Sequence, residues 1–241
     1  MFQKLSPEKR DSTTDLPFVL NLRIEMSAQK YRVLDYAHPT SGELARLLLQ
    51  HAGAEYEHDE ADPSPDALYQ AEQAAPFGVL PVLFVDGKVV AQGQGISRYL
   101  AREFGLCGSS SEESAACDMV MDGLGAMFAR IRGANFAALE PQKQMSLVKQ
   151  MLSDDVPRFL DQFERLLDHS PTGRHFVGEQ LTWADLGVAL TLAGMRLRRP
   201  SLLAGHPRLA AFLEEVGGRE EVARFVDAEL APAAILRKNS V

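Results

Sequence analysis

Phe77-Gly78-Val79-Leu80-Pro81-Val82-Leu83 is the stretch on which the fold turns. A proline at the first position of a strand, after a tight glycine turn, is one of the places where a cis peptide is expected. A cis Leu80–Pro81 bond would leave the N–H and C=O of Leu80 outside the sheet ladder, open to an extended, peptide-like ligand. A strand-edge proline with no ligand at all accounts for the same residues, and both readings stay open here. Downstream, Val82–Val85 and Lys88–Ala91 are strand-like, and Asp86-Gly87 between them is a two-residue hairpin signal.

Working outward, Ile96, Tyr99, Leu100 and Phe104 recur at helical spacing and Gly105 ends that helix. Upstream, Tyr31–Tyr36 reads as a strand closed by the turn Ala37-His-Pro-Thr-Ser41. From Gly42, apolar Leu44, Leu47, Leu48 and Ala52 mark a buried helix face that stops at Gly53. Ala54–His58 is a second strand candidate. Asp59–Ala75, polar and carrying Pro63 and Pro65, reads as a loop with a weak helix. The order is βαβ followed by ββα.

Beyond Gly105 the pattern changes. Cys107–Glu113 is rich in glycine and serine and reads as a linker, and the periodicity after it is helical. Expected helices are Glu112–Phe136, Lys143–Asp168, Trp183–Leu197, Pro207–Val216 and Arg219–Asp227. The second carries the clearest stripe, Val156, Phe159, Leu160, Phe163, Leu166 and Leu167, opposite Asp161, Gln162 and Arg165. Thr182-Trp-Ala-Asp185 before an apolar run is a capping-box variant, so Asp185 is expected to serve the backbone rather than chemistry.

Composition narrows the function classes. The chain has 241 residues, 46% hydrophobic and 24% charged, with a net charge of −8. That charge argues against a general role on nucleic acid or an anionic membrane. Cys107 and Cys117 are too few and too separated for a redox pair, a zinc cluster or a disulfide framework, which suits a reducing, cytoplasmic setting. The histidines show no metal-ligand spacing, so no metal is expected. Residues 1–28 mix both charge signs, fit neither a secretory signal nor a transit peptide, and read as a poorly ordered extension.

The segments Leu80-Pro-Val-Leu, Val85-Asp-Gly-Lys, Ala91-Gln and Ile96-Ser-Arg-Tyr-Leu-Ala-Arg102 together resemble the glutathione-binding half of cytosolic glutathione transferases, in particular the sigma-like, prostaglandin D synthase branch. Phe176-Val-Gly-Glu-Gln-Leu-Thr-Trp-Ala-Asp185-Leu and Gly205-His-Pro-Arg-Leu-Ala-Ala-Phe212 resemble its helical half. The resemblance implies a thioredoxin-like domain over residues 29–106, an all-helical domain over 111–230, and a homodimer. It implies glutathione lying along Val79, Leu80 and Pro81, with its carboxylate at Gln92 and Gly93. Asp118 would reach toward glutathione held by the partner subunit. A hydroxyl at the end of the first strand would steady the thiolate for attack on a small hydrophobic electrophile, in detoxification or in isomerisation.

Tyr36 is the candidate for that hydroxyl and Ser41 the alternative. An ungapped match puts Asp35 at the family's tyrosine position, and Tyr36 fits only if the following turn is one residue shorter. Other departures follow from the same comparison: the turn has no arginine, Val79 stands where glutamine is usual, and Gly93 replaces a serine. These support a competing reading, a non-catalytic binding or structural protein that keeps the fold, as lens crystallins of this family do. The first long helix, with Met119, Met121, Met127 and Phe128, would border the co-substrate pocket or fill ordinary core. Arg130 and Arg132 would face that pocket or solvent.

Overall fold

The computed structural model describes residues 30–36, 41–62, 64–128 and 139–231. The first unit runs β1 (Tyr31–Tyr36), α1 (Glu43–His51), β2 (Tyr56–Ala61), α2 (Pro65–Gln73), β3 (Val82–Val85), β4 (Lys88–Ala91) and α3 (Gly93–Glu103). Its sheet order is β2-β1-β3-β4, with β1 parallel to β2 and antiparallel to β3, and β3 antiparallel to β4. This is the thioredoxin-like arrangement expected. The Asp86-Gly87 hairpin joins β3 to β4, with both residues at positive φ as that turn requires. The Leu80–Pro81 peptide is cis.

Strand alternation divides this sheet into two faces. Tyr31 and Val33 of β1, with Leu83 and Val85 of β3, join Leu47, Leu48, Ile96 and Leu100 in the main core. Leu34 and Tyr36, with Val82 and Phe84, pack on Ala71 and Ala74 of α2 on the other face. Two expectations shift here. β2 begins at Tyr56 and runs to Ala61, because its register with β1 pairs Tyr31 with Tyr56 and Tyr36 with Ala61. The polar segment before Ala75 forms a true helix, α2, in which Pro65 occupies the first turn, where its missing N–H costs nothing.

The second unit comprises α4 (Ser111–Met127), α5 (Pro141–Gln150), α6 (Val156–Asp168), α7 (Trp183–Arg198), α8 (Pro207–Gly217) and α9 (Glu220–Phe225). Ser110 caps α4 by accepting from the Glu113 N–H at 3.2 Å, so the helix starts inside the serine run. The expected continuation of α4 to Phe136 falls outside the described residues beyond 128. The expected Lys143–Asp168 helix runs in helical backbone throughout, with one wide π turn at Met151–Asp155 between α5 and α6. Pro157 suits the widened turn: it has no N–H to donate, and a proline ring inside a regular helix would crowd the carbonyl four residues back. A second such turn, Val226–Leu230, follows α9. Leu166 is 38% exposed and lies off the α6 stripe, while Val156, Phe159, Leu160, Phe163 and Leu167 are buried. Burying each such side chain contributes roughly 1.5–3 kcal/mol.

Asp185, fully buried, accepts from the N–H of Thr182 at 2.8 Å, the N–H of Phe176 at 2.8 Å and the Thr182 hydroxyl at 2.9 Å. It anchors the start of α7, as the capping pattern indicated. The two units are fastened across a seam. The Trp183 N–H donates to the Leu106 carbonyl at 3.0 Å, the Gln94 amide to the Met121 carbonyl at 2.9 Å, and Arg46 on α1 pairs with Glu229 at 2.6 Å. Among the described residues, no helix is long and apolar enough to cross a membrane.

Candidate functional site

The C-terminal end of β1, the loop before β3 and the N-termini of α1 and α3 meet at one end of the sheet. Sequence reasoning placed Tyr36, Ser41, Val79, Leu80, Pro81, Gln92 and Gly93 there; the fold gathers them in two groups and sets a third, around Asp35, beside them.

The first group is where α1 and α3 begin. Gly93 opens α3 and is buried, and Ser41 lies against it. A Cβ at position 93 would stand 2.2 Å from Ser41 Oγ, 2.5 Å from its Cβ and 2.6 Å from its carbonyl oxygen. Ser41 therefore occupies the space a side chain at 93 would need. Gln92, just before, has φ +69°, a left-handed conformation that costs a non-glycine residue about 1–3 kcal/mol and concentrates at ligand sites. Its carbonyl accepts from the Ile96 N–H at 2.9 Å, which leaves the first amides of α3 pointed outward at a place favourable to an anion.

The second group is the edge at Val79, Leu80 and Pro81. Val79 is exposed, while Leu80 and Pro81 are buried. The Leu80 N–H reaches the Tyr36 hydroxyl at 3.4 Å, a long contact that a peptide-like ligand would have to share or displace. Tyr36 in turn donates to Glu72 Oε1 on α2 at 3.0 Å. Burial holds the Tyr36 phenol above its ordinary range; the Leu80 N–H acts the other way, and the bond to Glu72 adds to the rise. Tyr36 thus meets the Leu80 edge from the α2 side.

The third group is the one that sequence reasoning weighed only as an alignment alternative. Asp35 points to the opposite face from Tyr36, toward α1, and is 1% exposed. Its Oδ1 accepts from the Tyr36 N–H at 2.8 Å. Its Oδ2 lies over Gly42: a Cβ built on Gly42 would be 2.0 Å from that oxygen and 3.3 Å from the Cβ of Pro81. Asp35, Gly42 and Pro81 therefore share one corner between the start of α1 and the loop before β3. The period-two alternation of a strand was the signal that could have separated residues 35 and 36.

Asp118 stands apart from these groups. Arg98 Nε donates to its Oδ1 at 2.6 Å, and the same guanidinium lies 5.6 Å from the Trp183 ring and 3.8 Å from Asp122. The carboxylate is bound within its own protomer and remains 36% exposed. Met121 and Met127 are core, and Met119 is exposed. Met121 packs where α1, α4 and α7 meet, its Cε 2.6 Å from the place of a Cβ on Gly187. The turn at His38-Pro39-Thr40, Arg130 and Arg132 lie outside the described residues.

With this geometry in view, the likeness to known proteins is informative. The family described as "Glutathione S-transferase, N-terminal domain" matches residues 30–102, and "Glutathione S-transferase, C-terminal domain" matches residues 128–229. Glutathione S-transferase 1 of Ascaris suum is 31% identical over 187 residues, covering 77% of this chain and 89% of that protein. Hematopoietic prostaglandin D synthase of Gallus gallus is 28% identical, covering 76% of this chain and 88% of its own length. A monomeric glutathione S-transferase of the hookworm Necator americanus superposes with a TM-score of 0.71 at 27% identity, covering 82% of this chain and 96% of that one. Sheet topology, the Leu80–Pro81 edge, the paired helix starts and both family matches agree: this chain belongs to the glutathione S-transferase family.

Proposed function

We propose that this chain is a glutathione transferase that joins glutathione, through its sulfur, to a small hydrophobic electrophile. The observation that carries the reading is the convergence of the Leu80–Pro81 edge with the N-termini of α1 and α3, with Ser41 seated against Gly93. Glutathione would lie extended along Val79 and Leu80, and its γ-glutamyl carboxylate would meet Gln92 and the first amides of α3. Gly93 lacks the hydroxyl usual at that place, and Ser41 Oγ, within the same few ångströms, supplies one from the neighbouring helix start.

The sulfur end would fall in the corner of Asp35, Gly42 and Pro81. Tyr36 borders the cysteinyl backbone at Leu80, and its hydroxyl would reach sulfur only by leaving Glu72. The electrophile would sit beside α4, on which Met119 is exposed while Met121 and Met127 are core. The same thiolate would serve an isomerase. A cytoplasmic, detoxifying homodimer is the setting we propose, in which Asp118 faces the partner's glutathione once its pairing with Arg98 loosens.

The test is retention of the full chain on immobilised glutathione, together with glutathione conjugation of a chlorodinitrobenzene-type electrophile. Retention with turnover is the expected result. Retention without turnover would favour the non-catalytic binder, a reading that the engagement of the Tyr36 hydroxyl by Glu72 and the Leu80 N–H supports. The absence of both retention and turnover would overturn the reading. Sedimentation velocity checks the dimer.

A further inference from the structure

The sheet order fixes which elements flank the Leu80–Pro81 edge. β3 lies between β1 and β4, with Val82 paired to Leu34 on one side and to Ala91 on the other. Gln92 and Gly93, directly after β4, therefore stand on one side of that edge, and Tyr36, at the end of β1, stands on the other. A tripeptide whose γ-glutamyl carboxylate meets the α3 amides and whose middle residue pairs with Leu80 sends its glycyl end toward Tyr36 and α2. The carboxylate on that side is Glu72. Its Oε1 accepts from the Tyr36 hydroxyl at 3.0 Å, and the same hydroxyl lies 3.4 Å from the Leu80 N–H. Glu72 is thus one hydroxyl away from the backbone that the ligand would use.

Glutathione carries a second carboxylate, on its glycine. Two like charges brought together beside a half-buried wall repel one another, and the more so as salt is lowered. The surroundings of Glu72 do not offset this. From Leu47 to Gly87 the chain has no lysine or arginine, and neither has the turn at 37–40. Further acids come from Glu60 near the end of β2, Asp62 after it and Asp66 in the first turn of α2. The arginines of β1 and α1 are engaged elsewhere, Arg32 with Asp59 at 2.5 Å and Arg46 with Glu229 at 2.6 Å.

Resting on the glutathione reading above, we propose that Glu72 is a specificity-determining residue, and that the groove prefers glutathione derivatives whose glycyl carboxylate is masked as an ester or an amide. Masking removes the repelled charge. It keeps the γ-glutamyl carboxylate, the thiol and the peptide backbone that the rest of the groove would recognise. Tyr36 has a positioning role in this account, since its hydrogen bond holds the Glu72 carboxylate at the groove wall.

The experiment is calorimetric titration of the full chain with glutathione and with its glycyl ethyl ester, at low ionic strength and at about 0.5 M salt. Wild type is compared with Glu72→Gln, which keeps an oxygen to accept from Tyr36 and loses only the charge. At low salt, wild type is expected to bind the ester about three- to tenfold more tightly than glutathione. That ratio should fall toward one at high salt and in Glu72→Gln. A merely structural Glu72 would shift both affinities together and leave their ratio alone. Glutathione bound as tightly as its ester by wild type, or a preference that Glu72→Gln leaves intact, overturns the inference. The wild-type comparison decides even where the variant fails to fold. If wild type binds neither ligand, the glutathione reading falls with it; equal binding of both removes only this inference.

Discussion

The two ends of the candidate groove depart from the family's usual residues in different ways. At the α3 end, the side chain missing from Gly93 is replaced in space by Ser41, which packs into the volume that Gly93 vacates. At the β1 end, the position facing α1 and Pro81 carries a buried carboxylate, Asp35, and the tyrosine beside it faces α2. A lost hydroxyl can be returned by a neighbour of the same chemistry. A hydroxyl replaced by a carboxyl group is not restored in that way, because an ionised carboxylate accepts hydrogen bonds and donates none.

The largest effect expected from breaking this comparison is at Ser41. If its hydroxyl contacts the ligand carboxylate, Ser41→Ala removes a hydrogen bond to a charged group, worth about 1.5–3 kcal/mol, or roughly ten- to a hundredfold in glutathione affinity by calorimetry. Next is Gly93→Ala. Its methyl group would press on Ser41, including the backbone carbonyl at 2.6 Å, which a rotamer change cannot relieve. Overpacking of this kind costs about 1–3 kcal/mol, read as a lower urea midpoint, and should weaken glutathione binding by moving the α3 amides.

Tyr36→Phe sharpens the other end. It removes the bond to Glu72, with an expected loss of about 1 kcal/mol in stability, and should change turnover by only a few-fold. A loss of several hundredfold in turnover would give Tyr36 the thiolate after all. The smallest effect concerns pH. Burial and the nearby Arg46 depress the His58 imidazole below its usual range. The unfolded chain therefore binds a proton more readily than the folded one, and the contribution of His58 to stability is complete above about pH 6.5 and lost as the solution becomes more acidic. His58→Asn should flatten that acid-side slope in urea titrations at a series of pH values.

Much of the architecture was legible because local signals agreed with one another. Asp86-Gly87 marked the hairpin, Gly53 and Gly105 marked helix ends, and Thr182-x-x-Asp185 marked the start of α7. The π turn before Pro157 had its signal in the sequence too, in that proline, but the apolar stripe after it reads as regular helix. α2 was harder to read because its helix covers the outer sheet face with small residues, Ala71 and Ala74, and shows little apolar periodicity.

The site was less legible for a physical reason. Ser41 and Gly93 are distant in sequence, and only folding shows that one fills the space of the other. Arg98 claims Asp118 across two helices, and Glu72 claims Tyr36 from a segment read mainly as loop. Residues 35 and 36 were separable in principle, since neighbours on a strand face opposite ways. Which of the two faces α1 depended on the register of β1 with β2 and β3, and that is set by tertiary pairing.

The central claim is that this end of the sheet is a glutathione site completed by a hydroxyl borrowed from the first helix. Calorimetric titration of glutathione into the intact protein and its Ser41→Ala variant tests it most directly. The account calls for saturable binding at one site per chain, clearly weakened in the variant. No heat of binding at millimolar glutathione, or an affinity that Ser41→Ala leaves untouched, would contradict it.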